Sequence, residues 1–167
     1  PDHSTPSGKD LKLRLQGKVG NWSETPWQEK MGYFATNRAE HKDEVVATLQ
    51  QGGIVVYDRY VPSSLAFMAI EAGETTNREE IFAAVEKKEY QENPPNVALE
   101  LLSGRKQTQQ EDDEYTDQLS VQMKLYKEYQ RMSEEGRVVR VDCMDGSRLR
   151  TPDEIEGLVW AAVASKL

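Results

Sequence analysis

The sequence predicts an α/β domain, on three observations. A continuous apolar run, Ile54 to Tyr57, stands between Gly52-Gly53 and the charged pair Asp58-Arg59, as a strand buried on both faces does. A second β-branched run lies in "RVVRVD" toward the end of the chain. Segments of helical periodicity fill the chain around them, and strands alternating with helices ordinarily mean a parallel sheet covered on both sides.

The elements follow in order. "TPSGKDLKLRLQGK" predicts a short helix capped near Ser7 and ended by Gly17, followed by the loop "VGNWSETP". From about Pro26 to Gln51 one long helix is expected, with Trp27, Met31, Phe34, Val45, Val46 and Leu49 among its apolar positions and Gly52-Gly53 as its stop. After the Ile54–Tyr57 strand, helices are expected over Ser63–Ala72, Asn77–Gln91 and, behind Pro94-Pro95, Val97–Leu102. "SGRKQTQQEDDEYTDQ" is wholly polar and reads as a loop. Leu119, Met123 and Tyr126 mark the stripe of a further helix that Gly136 ends. The last helix has the strongest start signal, with Thr151 as N-cap, Pro152 at the first position and Glu154 completing a capping box. Its apolar face is Ile155, Leu158, Val159, Ala162 and Val163. Two short strands are too few for the sheet these helices require, because a lone pair is marginal. Either the strand assignment is short or part of the sheet lies outside these residues.

Composition sets outer limits. With 167 residues, 37% hydrophobic and 30% charged, the chain has the makings of one soluble domain over 1–167. A net charge of -8 argues against a general nucleic-acid binder while leaving room for a local phosphate site. Cys143 is the single cysteine, which rules out an intrachain disulfide and suits a reducing compartment. No apolar run approaches the roughly 20 residues needed to span a bilayer. No secretory leader pattern is visible, so the expected address is the cytoplasm, with no membrane partner.

In open parallel sheets, ligands bind beyond the carboxyl ends of the strands. Asp58 and Arg59 stand at such an end. An arginine there can grip a phosphate through two parallel hydrogen bonds, and a carboxylate beside it can organise Mg²⁺ or its waters. On the dipeptide alone, a surface ion pair or a helix cap fits as well.

The flanking residues change the balance. "VVYDRYVPSSLAF" resembles the Asp-Arg-Tyr/His segment of the thymidylate kinase family, enzymes that phosphorylate dTMP to dTDP with ATP. "MGYFATNRAE" is similar to that family's Phe-x-x-Asn-Arg helix segment, and "PDHSTPSGK" to its Phe-Pro-containing loop and the helix after it. "SGRKQTQQEDDEYTDQLSVQMKLYKEY" resembles the family's lid, at about 103–117 here, and the helix beyond it. "VVRVD" followed by a capped helix matches the family's ending, so the resemblance covers nearly the whole chain. It implies a P-loop nucleoside-monophosphate-kinase fold, a three-layer sandwich with a parallel sheet between helices.

The resemblance also implies roles. Phe34 would stack on the thymine ring, and Arg38, one turn on and on the same face, would donate to the base's carbonyl oxygen. Arg59 would hold the 5′-phosphate of dTMP, Ser64 would lie against the base, and Phe67 would crowd the sugar's 2′ carbon and so disfavour ribose. Tyr115 in the lid would close over the nucleotide, and Arg105 and Lys106 at the lid's start would face ATP. Asp58 would position Mg²⁺ or the phosphates through water. His3 stands near the place where relatives put an arginine or an aromatic donor for the dTMP phosphate. Each has a plain alternative: a core residue for Phe34, solvated charges for Arg38 and for Arg105-Lys106, a surface tyrosine for Tyr115 and a loop histidine for His3. Relatives are commonly homodimers, paired through helices such as the one expected over Pro26–Gln51.

Three departures accompany the resemblance. No Gly-x-x-x-x-Gly-Lys-Ser/Thr segment occurs in these 167 residues, and "TPSGKD" supplies only its Gly-Lys. The family's Pro-Asp-led strand is expected just before Pro94-Pro95 and is not found there. Extra lid arginines used by some bacterial members are also missing, which leaves Arg105 or the phosphate loop to supply that charge. Together with the strand shortage, these point to residues belonging to a longer polypeptide. The alternatives are a catalytically impaired, kinase-like nucleotide-binding scaffold and another nucleoside or nucleotide kinase.

Overall fold

The computed structural model describes residues 2–73, 76–89, 95–102, 119–164 and 166. Among them, helices α1 (Pro6–Leu15), α2 (Trp27–Ala39), α3 (Lys42–Gln50), α4 (Val61–Ala72) and α5 (Arg78–Glu89) precede the first strand, β1 (Leu99–Leu102). Helix α6 (Leu119–Glu134), β2 (Val139–Asp142), the short hairpin β3 (Met144–Asp145) and β4 (Arg148–Leu149), and α7 (Pro152–Val163) complete the order.

The buried core joins α2, α4, α5 and α6, with Met31, Leu65, Met68, Phe82, Val85 and Met132 at its centre. Helix α4 packs against each of the other three. Its sequence explains why: Val61, Leu65, Ala66 and Met68 leave it apolar around much of its circumference, as suits a helix covered on several sides.

The expected long helix is two. Residues Glu40 and His41 interrupt it and turn instead to the N-terminal loop. Glu40 accepts from the Ser7 main-chain N–H at 3.3 Å and from its hydroxyl at 2.6 Å. His41 Nε2 lies 3.0 Å from Asp2 Oδ2. Thr5, not Ser7, caps α1, its hydroxyl accepting from the Gly8 N–H at 3.2 Å with Pro6 behind it. Gly8 serves this join: a Cβ there would stand 1.7 Å from the Asp2 carbonyl oxygen. Close backbone approach, rather than phosphate binding, accounts for this glycine.

Two strand assignments need correction. Ile54–Tyr57 forms no strand among the described residues, with Ile54 64% and Val56 87% exposed. A β-branched run supplies the propensity, yet a strand exists only where a neighbour accepts its ladder. Conversely, Val97–Leu102 is not a helix. Leu99–Leu102 forms β1, parallel to β2 in the register Leu99↔Val139 through Leu102↔Asp142. Val139 N–H donates to the Ala98 carbonyl at 2.8 Å and Cys143 N–H to the Leu102 carbonyl at 2.9 Å, extending the ladder at both ends. A short apolar run behind a proline pair carries no periodicity of its own, and its length favours the strand. The place just before Pro94-Pro95, where the family's Pro-Asp-led strand is expected, lies outside the described residues.

The face of α6 that meets the core is Leu125, Tyr129 and Met132, not the expected stripe through Met123 and Tyr126, which are 55% and 47% exposed. "RVVRVD" supplies β2, and α6 ends at Gly136, whose φ of 72° only glycine adopts without strain. Helix α7 starts with its full capping box. The β3–β4 hairpin, turned at Gly146-Ser147, was not foreseen from sequence.

Candidate functional site

Helices α2 and α4 bring the proposed base-reading residues together. Phe34 and Arg38 sit one turn apart on α2, with the Arg38 guanidinium carbon 5.9 Å from the Phe34 ring centroid. Arg38 Nη2 donates to Ser64 Oγ of α4 at 3.1 Å and, more weakly, to the Tyr60 carbonyl at 3.4 Å. Phe34 is half-buried against the core, so one side of the ring rests on protein.

A turn further along α4, Phe67 meets Arg59, whose guanidinium carbon lies 5.8 Å from the ring centroid. Arg59 is exposed and has φ of 60°, the left-handed conformation that a non-glycine residue rarely takes. That bend joins the Ile54–Tyr57 run to α4, the helix whose Phe67 the guanidinium meets. Tyr57 and Tyr60 flank it, their rings stacked with centroids 4.3 Å apart. Ser63 Oγ and Tyr129 Oη, 2.9 Å apart, tie this end of α4 to α6. Burial pushes the Tyr129 phenol above its usual pKa, with the Arg59 charge opposing it.

Beneath Arg38 lies a residue that sequence reasoning missed. The Glu89 carboxylate, with no exposed side-chain surface, pairs with Arg38 Nη1 and accepts from Ser64 Oγ at 3.3 Å. Burial raises its pKa, and the charge of Arg38 only partly offsets this. In "EKKEY" the residue looks like one more solvated charge at a helix end. Only its place against α2 and α4 distinguishes it.

A family model described as thymidylate kinase matches residues 1–148. The chain belongs to the thymidylate kinase family. Comparison with curated proteins finds none that matches it. Membership brings a nucleotide-kinase role and the P-loop nucleoside-monophosphate-kinase fold, with which a helix-rich chain carrying a parallel strand pair is compatible.

The other expected residues divide. His3 is exposed and engaged locally, its Nδ1 donating to the Gly8 carbonyl at 3.1 Å. Asp58 is exposed beside Arg59. Arg105, Lys106 and Tyr115 lie outside the described residues, as does the whole 103–117 lid. Among the described residues, no three His, Cys, Asp or Glu side chains gather as a metal site. One carboxylate such as Asp58 fits Mg²⁺ only in the shared mode, where water and substrate phosphates provide the other ligands. No described helix is long and apolar enough to cross a membrane.

Asn37 is the other residue whose importance sequence understated. It is 2% exposed, and it fastens the loop that carries His3 to the helix that carries Phe34 and Arg38. Its place inside "FATNR", between the two base-reading candidates, was the available signal.

Proposed function

We propose that the protein phosphorylates dTMP to dTDP, with ATP as phosphoryl donor and Mg²⁺ bound among the phosphates. The observation that carries this reading is the pairing of a half-buried ring, Phe34, with a guanidinium 5.9 Å from its centroid and fixed to Ser64 at 3.1 Å. A flat apolar face next to an oriented donor suits a pyrimidine with a carbonyl on its edge.

On this reading Phe34 stacks on thymine, Arg38 donates to its carbonyl oxygen and Ser64 contacts the base edge. Phe67 fills the space at the sugar's 2′ carbon, which favours deoxyribose. Arg59 grips the 5′-phosphate, and its left-handed turn holds the guanidinium above α4 where Phe67 backs it. Phosphoryl transfer asks a protein mainly for geometry and positive charge, which these residues supply on the acceptor side. Asp58 holds Mg²⁺ or its waters; the ion, when bound, neutralises charge between the phosphates. Arg105, Lys106 and Tyr115 complete the donor side. A single cytoplasmic domain acting as a homodimer belongs to the same proposal.

Calorimetry on the whole polypeptide tests it. Arg59→Ala should weaken dTMP binding by about 30-fold or more, the usual result of removing one partner of a charge pair. Near wild-type affinity in that variant, or preference for CMP or a deoxynucleoside over dTMP, would overturn the reading.

A further inference from the structure

We infer that Glu89 is a positioning residue for base recognition, holding Arg38 and Ser64 in the orientation that reads the pyrimidine. The inference rests on the acceptor site proposed above and adds to it a third helix, α5, which no motif pointed to.

Three observations carry it. First, one carboxylate oxygen of Glu89 joins both groups: Oε2 pairs with Arg38 Nη1 and accepts from Ser64 Oγ at 3.3 Å, while Arg38 and Ser64 bond to each other at 3.1 Å. The result is a closed triangle across α2, α4 and α5. Second, the Glu89 side chain has no solvent exposure whereas that of Arg38 is 19% exposed. The anchor is sealed and the arginine reaches outward from it. Third, Glu89 Oε1 is buried and has no hydrogen-bond partner among the described residues. The hydrogen bonds of this carboxylate among the described residues therefore all run through Oε2, to Arg38 and Ser64. Here one oxygen is given over to the triangle.

Arginine has a planar fork, so fixing one nitrogen sets the directions of the others. With Nη1 turned to Glu89 and Nη2 toward Ser64, the guanidinium plane is fixed by two helices besides its own. Without Glu89 the fork could rotate about its last torsions, and the order would have to be restored on binding. That cost falls on nucleotide affinity rather than on the transfer step.

The test is a double-mutant cycle on the full-length protein, read by dTMP calorimetry and by steady-state kinetics. Glu89→Gln keeps the shape and removes the charge. It should raise KM for dTMP about tenfold, the loss of one charged hydrogen bond, with kcat within about twofold. It should also narrow the preference for dTMP over dCMP, and Glu89→Asp should recover part of the loss. In an Arg38→Ala background Glu89→Gln should then have little further effect, because both act through one group. Additive losses, or unchanged dTMP affinity in Glu89→Gln while Arg38→Ala is impaired, would overturn the positioning role and leave the base site standing. Unchanged affinity in Arg38→Ala would overturn both. Thermal unfolding of each variant separates the effect from simple loss of fold: a drop in affinity that only tracks a drop in stability counts against the inference.

Discussion

Asn37 holds Asp2 from both sides of one peptide unit's reach: the Asp2 N–H donates to Asn37 Oδ1 at 2.9 Å, and Asn37 Nδ2 donates to the Asp2 carbonyl at 3.1 Å. The same amide nitrogen also reaches Thr5 Oγ1 at 2.9 Å and Ser7 Oγ at 3.1 Å. A single buried side chain thus replaces the backbone partners that the loop lacks. Asn37→Ala should cost about 2 kcal/mol, since buried donors and acceptors are left unpaired. Urea unfolding checks this. A change below about 0.5 kcal/mol would mean that the loop finds other partners, within the range of ordinary surface substitutions.

Lys30 is the second buried polar group with a clear prediction. It is 1% exposed, pairs with Glu71 and lies 5.3 Å from the Trp22 ring centroid. Removing one ion of such a pair strands the other, so Lys30→Met alone should destabilise by about 3 kcal/mol. Lys30→Met with Glu71→Leu should recover most of that, because apolar replacement of both partners avoids the stranded charge. Denaturation of Lys30→Met, Glu71→Leu and the double variant measures the coupling, and equal destabilisation by Lys30→Met and the double variant would refute it.

How much of this was legible in the sequence depends on what each signal reports. Caps and periodicity are local, and they located α4, α5, α6 and α7, though not the face of α6 that meets the core. Strands are pairings, so the apolar run at Ile54–Tyr57 and the one at Leu99–Leu102 could not be told apart by composition. Among the described residues only the second lies beside a partner, β2. The same distinction holds at the site. Phe34, Arg38, Ser64, Arg59 and Phe67 carry motif signatures; Arg38 meets Phe34 and Ser64, and Arg59 separately meets Phe67. Glu89 carries none, because its role depends on α5 crossing α2 and α4, a tertiary fact without a local trace.

The start of α7 should be acid-sensitive. Arg148 makes a two-point bond to Glu154, Nη1 to Oε2 and Nη2 to Oε1, each at 2.9 Å, and the Thr151 N–H donates to Glu154 Oε2 at 2.7 Å. Arg148 first, then the Thr151 N–H, push the Glu154 carboxyl down from 4.5 to about 2. A carboxyl depressed in the folded state contributes stability that is present above its unfolded pKa and lost as pH falls through the folded one. The loss attributable to Glu154 should therefore fall between about pH 4.5 and pH 2. Other lowered carboxyls, at Asp2, Glu40 and Glu135, act in the acid range too, so the measurement is the difference between wild type and Glu154→Gln. That difference in stability should shrink toward zero across the window. A constant difference from neutral pH to pH 2 would contradict the assignment.

On the proposed reading, Arg59 sets phosphate binding against stability at one position. Its φ of 60° is the left-handed conformation, which costs an ordinary residue roughly 1–2 kcal/mol and glycine almost nothing. Arg59→Ala keeps the backbone cost and loses the guanidinium. Arg59→Gly loses the guanidinium and the cost together. Both variants should lose dTMP affinity alike, yet Arg59→Gly should be more stable than Arg59→Ala by about 1 kcal/mol, less the extra freedom glycine brings to the unfolded chain. Paired calorimetry and urea unfolding measure the two quantities separately. If the glycine variant is the less stable of the two, the turn does not hold Arg59 in a strained conformation. If the variants differ in dTMP affinity, the backbone bend itself, rather than the guanidinium it carries, shapes the phosphate site.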